Sequence, residues 1–345
     1  MLCGVDASHG AVGLDGGAEW ESRWEVAYNK GVRKGELLAI EATMYALYLR
    51  GSPYGFGVSR RGWPLTLAAL RSACPTLDDV AYALRCAGRW EESAALSASD
   101  ALCWGLSVAE SGRALSAASP GYPGGWLHAL GSAAPPCLWV RGRPPTAPAV
   151  GVVGSRLLDR GDREFAGSVG ALLVRGGRTV VSGGAPGADS VVASAAVGAG
   201  GGTRAVVIAP YGLDSAAAVN NFAEAEGACV MSVCPPRATF TTGRAMERNA
   251  LIYSYGRRAV VVRARLRCGG TWHGACDALR RGLGEVLVRL VPGDAASSAL
   301  VALGGVGLRR LDDLPAALCR PVKLAQPELF GAGPVREASA RYLCA

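Results

Sequence analysis

Although 50% of its residues are hydrophobic, the chain has no uncharged apolar run near the ~18 residues that a membrane span needs. No membrane partner is therefore expected. Charged residues make up only 19%, and no Cys-x-x-Cys pair occurs among the 11 cysteines, an odd number scattered along the chain. That spacing argues against a disulfide framework and for reduced thiols. The segment after Met1 lacks the basic-then-apolar order of a secretory signal. A soluble, cytoplasmic protein is the expectation. What is present is length and positive charge. A chain of 345 residues suits about two domains with a large core. The formal net charge of +8 favours polyanions, with a solvated arginine-rich surface as the bland alternative.

Residues 1–35 are glycine-rich without a sustained period and are expected to form a poorly ordered lead-in. Residues 36–115 show helical spacing, as in Leu37-Leu38-Ala39-Ile40 through Ala46-Leu47, and are expected to form a small helical module. Thr76 to Asp79 and Ser97 to Asp100 look like helix starts. Residues 116–148, rich in proline and glycine, read as an extended connector rather than helix. From 149 to 290 one unit repeats: a short β-branched run, a glycine turn, an amphipathic run. Strands are expected near 149–153, 178–182, 204–209, 228–233, 259–263 and 285–290. This pattern predicts an α/β fold, a Rossmann-like parallel sheet with helices on both faces. The tail, 291–345, shows no third domain and no winged-helix pattern, although 300–318 is apolar enough to pack back on the body.

Three glycine turns punctuate the strands: Gly154-Ser155-Arg156, then Gly183-Gly184-Ala185-Pro186-Gly187-Ala188-Asp189, then Gly269-Gly270-Thr271. Glycines at strand ends let backbone amides approach a phosphate, and the following helix start favours negative charge. The ligand is thus a nucleotide or a nucleic-acid backbone. Ser155 and Arg156 suit phosphate contact, against the plainer reading of a tight turn with an exposed arginine. Asp189 is expected to cap its loop rather than catalyse. From Arg237 to Arg267 there are eight arginines against one acid, Glu247, with Phe240, Tyr253 and Tyr255 interleaved. Phosphate pairing with base stacking is how single strands are held, although Tyr253 also fits a core position. Cys268, His273 and Cys276, with Cys229 and Cys234, are too loosely spaced for a zinc set, and no third residue orients a Cys–His pair. No metal, cofactor or catalytic residue is expected.

Several segments in order carry a resemblance. Ser119 to His128, Pro135 to Gly142, Val150 to Arg156, Val181 to Asp189, Arg248-Asn249 and Gly269 to Thr271 together resemble the DNA-processing protein DprA/Smf family, over about half the chain. The resemblance implies a protein, not an enzyme, that binds single-stranded DNA, protects incoming DNA in natural transformation and helps load a RecA-type recombinase. It also implies a homodimer through the Rossmann-like domain, for which the apolar surplus in 259–290 offers a patch. The implied DNA-contacting set is Gly154, Ser155, Arg156, Gly183, Gly184, Gly187, Arg244, Arg248, Asn249, Gly269, Gly270 and Thr271. Arg248 stands out by its place in the Arg-Asn motif, with pairing to Asp189 as its structural alternative. The chain departs from the family at Pro186, where an arginine is usual, and in lacking a histidine shortly after Asp189.

A second reading is an enzyme related to phosphoribohydrolases, whose glycine turn resembles Gly269-Gly270-Thr271. Where those enzymes place a glutamate this chain has Gly274, which removes the acid/base group hydrolysis needs. A nucleotide-sensing module is a third.

Overall fold

The computed structural model describes residues 34–322 apart from 56–57, 74–75, 78, 98–99, 200–203 and 222–226. The expected lead-in and the end of the tail lie outside the described residues. The helical module comprises α1 (Lys34–Tyr48), α2 (Trp63–Ala73), α3 (Val80–Cys86), α4 (Trp90–Leu96) and α5 (Ala101–Glu110). Then follow β1 (Ala114–Ser116), α6 (Gly124–Leu130), β2 (Cys137–Arg141), β3 (Ala149–Val153), α7 (Arg160–Arg175), β4 (Thr179–Ser182) and α8 (Ala188–Gly198). The chain continues through β5 (Ala205–Ile208), α9 (Ala216–Asn221), β6 (Cys229–Ser232), α10 (Thr242–Tyr255), β7 (Arg258–Val261) and α11 (Gly269–Arg281). It closes with β8 (Glu285–Arg289), α12 (Ala295–Ala302), β9 (Val306–Leu308) and α13 (Asp313–Cys319).

The strands form one mixed sheet in the order β1-β2-β6-β5-β4-β3-β7-β8-β9. Strands β3 to β9 pair in parallel, whereas β1–β2 and β2–β6 are antiparallel. Parallel strands covered on both faces must be apolar on both, which is why runs such as AVGVV and AVVI contain almost no polar side chain. Alternate residues divide between two cores. Val153, Val181, Val206 and Val261 face α10, α11 and the helical module, while Val150, Val152, Val180 and Val260 face α7, α8 and α13. The chain runs outward from β3 through β4, β5 and β6, then returns to lay β7 on the other side of β3. The crevice at that reversal is where open α/β sheets take ligands.

Two expectations require correction. The proline-rich 116–148 segment is not an extended connector. Pro123 immediately precedes a helix, α6, and β1 and β2 are strands of the main sheet. Trp126 of α6 is fully buried, with its ring edge-on to Tyr122 and Tyr255 and its Nε1 donating to the Leu251 carbonyl at 2.8 Å. Nor does the sheet end near 290, since β9 adds a further parallel strand; residues 300–318 pack back on the body, as their apolar character suggested, through Leu300, Leu314 and Leu318. The helical module is likewise continuous with the sheet. The Tyr45 hydroxyl donates to the Ala114 carbonyl of β1 at 3.0 Å, and Trp139 of β2 donates to the Arg50 carbonyl at 2.9 Å.

Trp126 therefore fastens the 116–148 segment to α10. Replacing it with alanine should lower the unfolding free energy by about 3–5 kcal/mol in a denaturant titration. A change under about 1 kcal/mol would show that the segment is only loosely attached.

Candidate functional site

The carboxyl ends of β3, β4, β6 and β7 lead into α7, α8, α10 and α11, whose amino termini all open at that end of the sheet. Helix amino termini carry partial positive charge and free amides, so the site is biased towards anions before any side chain is counted. Local sequence sets each entry. Asp159 and Asp162 form a reciprocal capping box on α7, and the Thr241 hydroxyl accepts from the Arg244 amide at 3.2 Å on α10.

The three glycine turns meet. The Ala188 amide donates to the Ser155 carbonyl at 3.2 Å, and the Ser155 amide donates to the Arg263 carbonyl at 3.0 Å. Gly187 has φ +96° and lies so close to the backbone of Ser155 and Arg156 that a side chain would strike it. Ser155 Oγ accepts from the Leu157 amide at 3.1 Å, which fixes its own turn. Asp189 is buried, and its Oδ2 accepts from the amides of Gly183 at 3.2 Å and Ala185 at 3.4 Å. It organises the loop ahead of its helix rather than the helix's own first turn.

Arg248 lies beneath these turns, only 7% exposed. Its Nη1 donates to the carbonyl of Gly183 and, at 3.2 Å, to that of Ile208, while Nε donates to Asn249 Oδ1 at 3.1 Å. Asn249 Nδ2 in turn donates to the Gly270 carbonyl at 3.3 Å, so the Arg-Asn pair links the second turn to the third. A Cβ on Gly183 would collide with the Arg248 guanidinium and the Asp189 carboxyl, so any side chain there would displace the pair. Burial raises the Asp189 carboxyl above its ordinary range, opposed by the Arg248 charge and the two loop amides; burial lowers Arg248, opposed by Asp189. The two charges hold each other in an otherwise costly place.

The exposed surface over this framework is basic. Arg156, Arg265 and Arg267 are exposed, and among the described residues none has a side-chain hydrogen bond or ion pair. Arg265 and Arg267 lie on a turn closed by the Cys268 amide donating to the Arg265 carbonyl at 3.1 Å. Arg267 sits there at φ +56°, a left-handed conformation that costs about 1 kcal/mol or more for a non-glycine residue. Sequence alone marked them only as members of an arginine-dense stretch. Glu247, the one acid of that stretch, is neutralised by Arg50 at 2.6 Å. Arg244 is partly buried, its Nη1 donating to the Thr239 carbonyl. Gly154, Gly184, Gly269 and Thr271 are half-buried at the turns, and Gly270 is exposed.

Not everything from 237–267 belongs here. Arg258 lies on the opposite end of the sheet, paired with Glu285 at 3.0 Å. Of the three interleaved aromatics, Tyr253 and Tyr255 are buried in the core and only Phe240, 47% exposed, is available for stacking. Most apolar residues of 259–290 are also core, including Val260, Val261, Leu279 and Leu287, while Leu266 is 44% exposed. Gly274 is buried, and a Cβ there would lie 3.2 Å from Asn249 Nδ2 and 3.4 Å from the Tyr253 ring, so a glutamate would have to displace Asn249. Among the described residues no three His, Cys, Asp or Glu side chains group as metal ligands, and no helix is long and apolar enough to cross a membrane.

Arg248→Ala strands the Asp189 carboxylate and two carbonyls, and should cost about 3–5 kcal/mol of stability at pH 7. Without the guanidinium, Asp189 rises further. A raised carboxyl contributes stability that is present at low pH and lost as pH rises through its folded value. The penalty of Arg248→Ala should therefore shrink as the solution is made more acidic, in denaturant titrations run on both proteins.

The family model described as DNA recombination-mediator protein A matches residues 113–302. Two Mycobacterium tuberculosis proteins, each named putative DNA processing protein DprA, from strains CDC 1551 / Oshkosh and H37Rv, are 33% identical over 176 residues. That alignment takes in 48% of this chain and 44% of each relative, so the chain spans less than half of their length. The fold resembles DNA processing protein A from Streptococcus pneumoniae, with a TM-score of 0.57 at 20% identity, over 75% of this chain and 93% of that one. DNA processing protein A from Helicobacter pylori, described for its unique single-stranded DNA binding mode, gives a TM-score of 0.50 at 19% identity, over 57% and 92%. With the profile covering more than half of its residues and the glycine-turn framework intact, the chain belongs to the DNA recombination-mediator protein A family.

Proposed function

We propose that the carboxyl-end face binds single-stranded DNA without catalysing a reaction on it. The observation that carries this reading is the trio of exposed, unpaired guanidiniums, Arg156, Arg265 and Arg267, set around three interlocked glycine turns. Guanidiniums pair phosphates, four helix amino termini add positive potential, and Phe240 supplies a flat face for a base. Arg248 and Asn249 act on DNA indirectly, by setting the turns. The family supports the wider role of a recombination mediator, in which the protein holds a strand in the cytoplasm and passes it to a RecA-type recombinase. A homodimer through the Rossmann-like domain remains part of the proposal, with the exposed Leu266 as the apolar residue that 259–290 leaves at the surface.

Gel shifts with one single-stranded oligonucleotide at several salt concentrations test the site. Replacing Arg265 and Arg267 with alanine should lower the slope of log affinity against log salt by about 0.7 for each lost phosphate contact. Phe240→Ala should cost about 1–3 kcal/mol with the slope unchanged. Variants that bind as the unaltered chain does, with the same slope, would move the DNA off this face.

A further inference from the structure

The opposite end of the sheet carries a second feature. A cleft of about 380 Å³ opens at the amino ends of β3, β4 and β7. Its walls include Tyr122, Pro148, Arg178, Tyr255 and Arg258, and no aspartate or glutamate among the described residues lines it. Strand β3 has five residues, so the cleft lies roughly 15 Å from the DNA face.

Among the described residues, charge beside the cleft does not balance. Arg178 Nη2 and Arg258 Nη1 both donate to the Leu318 carbonyl, at 3.4 and 3.1 Å, which brings two like charges together. Arg258 and Arg320 share a single buried carboxylate, that of Glu285, at 3.0 and 2.8 Å. Among the described residues, three guanidiniums thus meet one acid. Arg320 Nη2 is buried with no hydrogen-bond partner among the described residues. Tyr255 is 8% exposed, and its hydroxyl has no hydrogen-bond partner among the described residues. Positive charge in excess of acid among the described residues, beside a cavity that Arg178, Arg258 and Tyr255 line, is the complement of an anion, and the tyrosine and proline walls are the complement of an apolar body.

We propose that this cleft binds a small organic anion, a ring bearing a phosphate or carboxylate, with Arg178 taking the charge and Tyr255 donating a hydrogen bond. The volume admits one ring and its acidic group, not a polymer.

Phenyl phosphate is a suitable probe for isothermal titration calorimetry on the full chain. The expected result is one saturable site with a Kd on the order of 1 mM or tighter. Arg178→Gln should weaken it about tenfold and Tyr255→Phe about threefold. Tyr255→Phe keeps the ring that packs at 5.6 Å on Trp126, so its reading does not depend on a folding defect. Phenol and inorganic phosphate should each bind at least about tenfold more weakly, because each satisfies one half of the cleft. Single-stranded DNA should bind both variants as it binds the unaltered chain. The proposal is overturned if phenyl phosphate gives no saturable heat, if both variants bind it unchanged, or if it competes with DNA.

Discussion

A guanidinium buried at the carboxyl end of the sheet forces the three glycine turns into one arrangement. Arg248 cannot be hydrated where it lies, so its donors must be met by protein, and the acceptors within reach are the carbonyls of Gly183 and Ile208 and the side chain of Asn249. Meeting them determines the path of the second turn and, through Asn249, that of the third. Asp189 balances the charge and gathers the loop amides from the other side. The first turn is then seated by the close approach of Gly187 to Ser155 and Arg156. The exposed arginines rest on a platform whose shape was decided underneath them.

That division of labour separates two kinds of basic residue which look alike in composition. Arg156, Arg265 and Arg267 keep their charge at the surface, where counterions can be exchanged for phosphate. Arg248, Arg258 and Arg289 are spent inside, on carbonyls, on Glu285 and on Asp162 at 2.6 Å respectively. Net charge alone therefore overstates what is available to a polyanion. Position decides.

The strands were legible because a parallel sheet covered on both faces needs β-branched runs, and such runs between glycine turns have few other meanings. Helix α6 was not legible, since prolines on both sides suggested extended chain while Gly124 to Leu130 itself contains none. The site was legible as a set of turns but not as a hierarchy. The acceptors of Arg248 lie 40 and 65 residues away in sequence, and no local pattern reports them. The arginine-rich stretch divided for a geometric reason. Helix α10 has 14 residues and spans about 21 Å, so arginines at its two ends are delivered to opposite ends of the sheet.

The outermost strands, β1 and β9, are three residues each. A rim so short exposes few unpaired amides and carbonyls, which leaves little template for another chain to extend the sheet sideways. Growth by strand addition, the route by which many α/β proteins aggregate or exchange segments, is closed off at both margins. Contact with other molecules is thereby channelled to the top and bottom of the strands and to the outer helices, where side chains rather than backbone decide what is admitted.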